Sequence, residues 1–202
     1  QSPVPVKIQL GPSLTDGRGA GSKPNVGKQA CIESKAEIEK FLATGTKMLF
    51  VTAGMGGGTG TGAAPEIAKI AQEMDILTVG IVSLPFSFEG NKRITQGNEG
   101  LEELKKNVDT LVVISNDKMR SIYGNLSMSE AFGKADDILT VAAKGIAEII
   151  TVAGYINVDF EDVNTVMRNS GVAIMGTASA EGDDRAKKAV DMALTSPLLE
   201  DG

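Results

Sequence analysis

GMGGGTGTG, residues 54–62, holds six glycines and two threonines in nine positions, directly after the apolar run Met48-Leu49-Phe50-Val51. Each glycine costs about 0.5–1 kcal/mol relative to alanine within regular structure. Such a run is retained where something approaches the backbone closely. Upstream of it the pattern is that of a strand. From about residue 63 the sequence AAPEIAKIAQEM takes helical spacing. A glycine loop between a strand and a helix N-terminus presents bare N–H groups and the positive end of the helix dipole, which suits an anion. Thr59 and Thr61 add hydroxyls. The competing reading is a flexible glycine turn with no ligand.

Outward from this loop, short apolar strands are predicted at 6–10, 47–53, 76–83, 110–115 and 171–178. Helical patterns fall at about 26–44, 63–74, 91–106, 128–152, 160–169 and 182–194. Alternation of this kind predicts an α/β fold with a doubly wound parallel sheet and right-handed crossovers. Near-continuous apolar strands fit a sheet covered on both faces. In such sheets ligands bind at the carboxyl ends of strands. Four successive strand ends lead into GPSLTDGRGAGSKP, the opening run, LPFSFEGNKR and NDKM, which are glycine-rich, polar or charged. That is the layout of a nucleotide site.

Composition narrows the chemistry. The 202 residues carry a net charge of −6, which argues against general nucleic-acid binding. Cys31 is the single cysteine and there is no histidine. Intrachain disulfides, cysteine-rich zinc sites and histidine-dependent triads are thereby excluded. No apolar stretch approaches the roughly 18 residues of a membrane span, and no signal peptide opens the sequence. A reducing cytoplasm fits best. The opening QSPVPVKIQLG lacks an initiator methionine and the closing TSPLLEDG follows soon after a helical pattern, so a fragment is expected.

Two common phosphate loops fail. A Walker A loop ends in Gly-Lys-Ser/Thr, whereas Gly62 is followed by Ala63-Ala64-Pro65. A dinucleotide fingerprint fits one register, 58–63, but needs an acid at the end of the next strand. That strand ends IVSLP, and the nearest carboxylate, Glu89, lies beyond it. Taken alone, Glu89 reads as a surface helix N-cap acid and Arg93 as a solvated charge. Asn116-Asp117 after a strand reads as a turn. Asp159 and Asp162, three apart at a helix start, read as a cap or as a paired carboxylate site.

GGGTGTG resembles the signature loop of the tubulin/FtsZ GTPase family. The segments VTAGMGGGTGTGAAPEIAKIA (51–71), GAGSKPNVG (19–27), PFSFEGNKR (85–93), EELKKNVDTLVVISND (102–117), AFGKADDIL (131–139) and INVDFEDVNTVM (156–167) resemble blocks of its bacterial cell-division branch, in the expected order. The resemblance implies a Rossmann-like GTPase domain over 1–152, without the family's first strand and first glycine loop, ending in a long central helix. Residues 153–202 would then hold the catalytic loop and the beginning of a second α+β domain.

It also implies site roles. Gly56, Gly57, Gly58, Thr59 and Gly60 would wrap the phosphates of GTP or GDP, with Ala20 and Gly21 sensing the terminal phosphate. Pro85, Glu89 and Arg93 would form the ribose loop. Asn116, Phe132 and Asp137 would contact guanine, Asp137 accepting from the N1–H and N2–H₂ edge that adenine lacks. Asn157, Asp159 and Asp162 would position or polarise the attacking water. Magnesium is expected for phosphoryl transfer, with no protein ligand assigned.

A helix over 137–152 would span about 22 Å at 1.5 Å per residue, too far for Asp137 and Asp159 to share one nucleotide. Head-to-tail stacking would bring the 157–162 loop of one subunit onto the phosphates of the next, and repetition makes an open filament. The implied partners are further copies of the chain and, through a tail outside this sequence, division-ring proteins and membrane tethers. Nucleic-acid binding and direct membrane insertion are not expected. The implied location is the bacterial cytoplasm at the mid-cell division ring. The isolated 202 residues are expected to bind GTP poorly and not to polymerise. Competing readings are a nicotinamide-dependent oxidoreductase, a non-hydrolysing tubulin-like scaffold and a plasmid-partition relative.

Overall fold

The computed structural model describes residues 3–153, 157–173 and 180–195. Its centre is a parallel sheet of β1 (Met48–Gly54), β2 (Leu77–Leu84), β3 (Thr110–Ser115) and β4 (Gly171–Ala173), in that spatial order. The registers Val51↔Gly80 and Val82↔Val113 fix the central ladders, and Thr110↔Gly171 starts the third. The α/β, mainly parallel architecture matches expectation. Around the sheet lie α1 (Pro12–Thr15), α2 (Pro24–Glu33), α3 (Lys35–Leu42), α4 (Thr59–Glu73), α5 (Asn91–Lys105), α6 (Asn116–Tyr123), α7 (Met128–Thr151), α8 (Phe160–Met167) and α9 (Arg185–Leu194). A single 3₁₀ turn, Ser87–Glu89, follows β2.

Both sheet faces are covered. On one face Val51, Val82 and Val113 meet Ala64 and Ala68 of α4 and Leu104 of α5. On the other, Val79, Ile81, Val112 and Ile114 meet Leu139, Ala142 and Ile146 of α7. The α7 residues Ala135, Leu139, Ala142 and Ile146 are spaced four, three and four apart, one stripe of a 3.6-residue helix. Burying each large aliphatic side chain contributes about 1.5–3 kcal/mol. An outer layer of α2 and α3 packs on α4 through Cys31, Ile38, Leu42 and Ile70.

The chain departs from the sequence reading in several places. Residues 6–10 form no strand. Their apolar alternation is real, since Ile8 and Leu10 pack against the α2–α4 layer, but no neighbouring strand takes up their backbone groups among the described residues. The single helix expected at 26–44 is two, broken at Ser34. The Ser34 hydroxyl accepts the Gly11 N–H at 2.9 Å and donates to the Gln9 carbonyl at 3.2 Å, a tertiary bond that ends one helix and starts the next. The helix expected from 63 begins at Thr59, so the second half of the glycine run is already helical. NDKM, read as a loop, opens α6, where the Ser115 hydroxyl accepts the Lys118 N–H at 3.3 Å as N-cap. The strand expected at 171–178 is seen over 171–173, and 174–178 lie outside the described residues.

Candidate functional site

The glycine run lies at the carboxyl end of β1 and passes directly into α4. Most of its missing side chains are demanded by the protein itself. A Cβ on Gly58 would sit 2.7 Å from the Ala20 Cβ and 2.8 Å from the Lys23 nitrogen. One on Gly60 would sit 2.6 Å from the Gly54 carbonyl. Gly56 has φ +103°, and a Cβ there would meet the Arg93 carbonyl at 2.8 Å. Gly57 differs: nothing lies within 4 Å of its Cβ position. The run is therefore clamped on three sides and open at Gly57.

Thr61 completes the clamp. Its hydroxyl, buried in the first turn of α4, accepts the Gly56 N–H at 2.8 Å. The loop is thus folded back onto the helix it precedes, and the Gly56 amide is spent on this bond. No side chain caps α4, whose N-terminal amides face the loop. Beside them, Gly19-Ala20 and Thr59 border a cavity of about 310 Å³ that Gly17 and Gly27 also line. Ala20 is buried against the run, Gly21 takes φ +57°, and Gln96 of α5 holds the segment by donating to the Ser22 carbonyl at 3.3 Å.

The loop after β2 forms the second wall. Pro85 is buried under Gly56 and Gly97. The Glu89 carboxylate accepts the Phe86 N–H at 2.8 Å through Oε2 and pairs with Arg93 at 3.1 Å through Oε1. Glu89 and Arg93 are thus partners of one another, Glu89 largely buried and Arg93 about half exposed.

The ends of β2 and β3 are joined by groups the sequence did not single out. The Asp117 carboxylate accepts the Ser87 N–H at 3.0 and 3.2 Å through its two oxygens. Fully buried Phe86 stacks on Phe88 at 4.8 Å and meets Phe132 edge-on at 5.3 Å. Phe132 is therefore tied to the 85–93 segment through an aromatic cluster, with Met119, Ala131 and Ala135 beneath it. The only sequence signal for this was the recurrence of phenylalanine in PFSFEG and AFGK. Asp137, farther along α7, is exposed.

Asn116, at the carboxyl end of β3, is 4% exposed, and its buried Oδ1 has no hydrogen-bond partner among the described residues. Leaving a buried acceptor unpaired costs about 1–3 kcal/mol. The arrangement fits a ligand that donates an N–H at this point.

Asp159, Asp162 and Asn157 lie elsewhere. Asp159 is the N-cap of α8, and all three are exposed. Asp162 lines a cavity with Thr110 and Val112, at the amino end of β3. Gly54 and Asn116 stand at carboxyl ends of the same parallel sheet. A six-residue strand at about 3.3 Å per residue separates the two edges by about 20 Å. The structure thus brings the glycine run, Ala20, Pro85, Glu89, Arg93, Asn116 and Phe132 to one edge and the aspartates to the other. Among the described residues, no three cysteine or carboxylate groups come together as a metal cluster.

Residues 1–124 match the GTPase-domain model of the Tubulin/FtsZ family. The chain is 54% identical over 200 residues to the cell division protein FtsZ of Porphyromonas gingivalis, covering 98% of this chain and 44% of that protein. It is 52% identical over 195 residues to FtsZ of Pseudomonas aeruginosa, covering 96% and 49%. An empty FtsZ dimer structure from M. jannaschii superposes with a TM-score of 0.89 at 48% identity, covering 94% of this chain and 55% of that one. The chain spans about half the length of these relatives.

Proposed function

The chain belongs to the tubulin/FtsZ family, and from that premise we propose that it binds GTP and hydrolyses it to GDP and phosphate within head-to-tail filaments that serve bacterial cell division. The observation that carries this reading is the separation of its two functional edges. The nucleotide-facing groups and the Asp159–Asp162 pair sit at opposite ends of one parallel sheet. One subunit cannot apply both to one nucleotide. Stacked subunits can, and the contact repeats without closing.

In this reading the α4 amides and Thr59 receive the phosphates at the open face beside Gly57. Glu89 and Arg93 exchange part of their mutual pairing for ribose hydroxyls and phosphate. The Asn116 Oδ1 gains a donor from the Watson–Crick edge of guanine, with Asp137 on the same base and Phe132 against its face. The next subunit presents Asp159 and Asp162, with Asn157 alongside. Their carboxylates accept hydrogen bonds from a water, which attacks the γ-phosphorus in line as the bond to the β-bridging oxygen breaks. Charge on the phosphoryl oxygens is stabilised by the helix terminus and hydroxyls. Magnesium, for which no residue of this chain is assigned as ligand, would neutralise further phosphate charge.

Further copies of the chain are the partners in the filament. Division-ring proteins and membrane tethers would engage segments outside these residues, at mid-cell in the cytoplasm. The test is nucleotide selectivity joined to turnover in the full-length protein. GTP should bind at least tenfold more tightly than ATP and NAD, and Asp162→Ala should abolish turnover while leaving GTP affinity within twofold. Equal binding of ATP, or loss of affinity and turnover together, would overturn it.

A further inference from the structure

α8 carries Asp159 and Asp162 at its amino end. Val163 is its one buried residue. A cavity of about 570 Å³, lined in part by Ile146, Ile149, Val166 and Met167, lies along it. Met167 in the last turn of α8 packs against the Val79–Ile81–Val112 face of the sheet, and a set of polar bonds gathers at the same end.

Asp109, just before β3, is 2% exposed. Its Oδ2 accepts the Thr78 N–H of β2 at 2.9 Å, and its Oδ1 accepts the Asn169 N–H at 3.2 Å. Its own carbonyl accepts the Gly171 N–H at 3.0 Å. Thr110, also buried, donates its hydroxyl to the Met167 carbonyl in the last turn of α8 at 2.7 Å and meets the Ser170 hydroxyl at 2.6 Å. Asn169 takes the left-handed conformation, φ +54°, that turns the chain back toward β4. Each of the two Asp109 carboxylate oxygens takes one N–H, an arrangement that an asparagine, whose amide nitrogen is itself a donor, does not reproduce. The Met167 carbonyl, one of the last four of its helix, accepts the Ser170 N–H at 3.3 Å from the following turn and, more closely, the Thr110 hydroxyl, which is the bond that ties it to β3.

We propose that Asp109 and Thr110 are the positioning residues of the aspartate helix: they latch the carboxyl end of α8 to the β2–β3 edge and so fix where Asp159 and Asp162 are presented to the neighbouring subunit. The proposal rests on the shared-site reading above. The latch joins α8 to the strand whose other end is Asn116. A distortion at the latch therefore misplaces the aspartates relative to the neighbour's nucleotide without touching the subunit's own nucleotide-facing edge.

The experiment uses the full-length protein. Thr110→Val removes the donor to Met167, and Thr110→Ser keeps it. Thr110→Val should lower GTP turnover per polymerised subunit at least fivefold and leave GTP affinity within twofold; Thr110→Ser should stay within twofold of the parent in both. Asp109→Asn should act in the same direction. Ile38→Val, in the α2–α4 layer, serves as a destabilised control and should retain turnover. Mixing Thr110→Val subunits with Gly57→Ala subunits, which keep a sound latch but a blocked phosphate face, should give turnover above either variant alone.

Thr110→Val turnover equal to that of the parent, or falling only in step with affinity, would overturn the latch. So would equal losses in Thr110→Val and Ile38→Val. Parent turnover that does not rise with protein concentration would instead overturn the shared-site premise, whatever Thr110 does.

Discussion

The Asp159 carboxylate accepts the Asp162 N–H at 2.9 Å, while the Asp162 carboxylate accepts the Asp159 N–H at 3.2 Å. The two residues cap the same helix reciprocally. A cap and a carboxylate site were rival readings of NVDFEDV, and the cap is present. A carboxylate has two acceptor oxygens, so capping with one leaves the other available to a water. In the proposed mechanism the cap aims the pair.

This gives the first prediction. Asp162→Asn keeps the shape and one acceptor oxygen, so the helix should start normally. Turnover in filaments should fall at least tenfold because the amide is a poor partner for a water proton. Circular dichroism and phosphate release on the same sample check both parts. Unchanged turnover would remove Asp162 from the chemistry.

Gly57 and Gly58 should separate ligand space from protein packing. Gly57→Ala meets nothing in the protein, so its stability should stay within about 0.5 kcal/mol of the parent. Its GTP affinity should nevertheless drop at least tenfold. Gly58→Ala drives a methyl against Ala20 and Lys23 and should cost about 1–3 kcal/mol in stability. Urea unfolding paired with nucleotide titration distinguishes the two. Full GTP affinity in Gly57→Ala would place the phosphates somewhere else.

Thr61→Val removes the acceptor that holds the Gly56 amide and leaves a buried N–H unpaired. The expected destabilisation is about 1–3 kcal/mol. Thr61→Ser should recover most of it. Faster amide exchange at Gly56 in the valine variant would report the loss directly, and an unchanged rate would show that the clamp does not depend on Thr61.

Cys31 gives a pH-dependent check on the α2–α4 layer. Burial, with the Glu66 carboxylate adding to it, pushes its thiol from the ordinary 9.0 up to about 11. The folded state therefore prefers the protonated thiol. Its contribution to stability is fully present below pH 9 and is lost as pH rises from about 9 to about 11. Native Cys31 should alkylate at least a hundredfold more slowly than the urea-unfolded chain at pH 8. Comparable rates would mean that the layer opens readily.

Much of this was legible because it is written locally. The uniformly apolar runs of β2 and β3 read as buried strands, and the Leu139-Ala142-Ile146 spacing reads as a helix facing them. The glycine run pointed to a phosphate loop, though its glycines answer first to Ala20, Lys23 and Arg93. What was missed depends on a partner distant in sequence. Residues 6–10 have strand composition without a strand to pair with among the described residues. Ser34 splits a helix because Gly11 and Gln9 reach it. Asp117 and Phe86 tie two loops together across the site, and Asp109 and Thr110 meet Asn169 and Met167 from about sixty residues away. No local pattern announces such bonds.

The central claim is that hydrolysis needs two subunits, because the nucleotide-facing edge and the aspartate pair lie at opposite ends of one sheet. The most direct measurement is GTP turnover per subunit across a hundredfold range of full-length protein concentration. Near-zero turnover below a threshold, rising steeply above it while GTP occupancy stays constant, is the predicted result. Turnover per subunit that is the same at every concentration would contradict it.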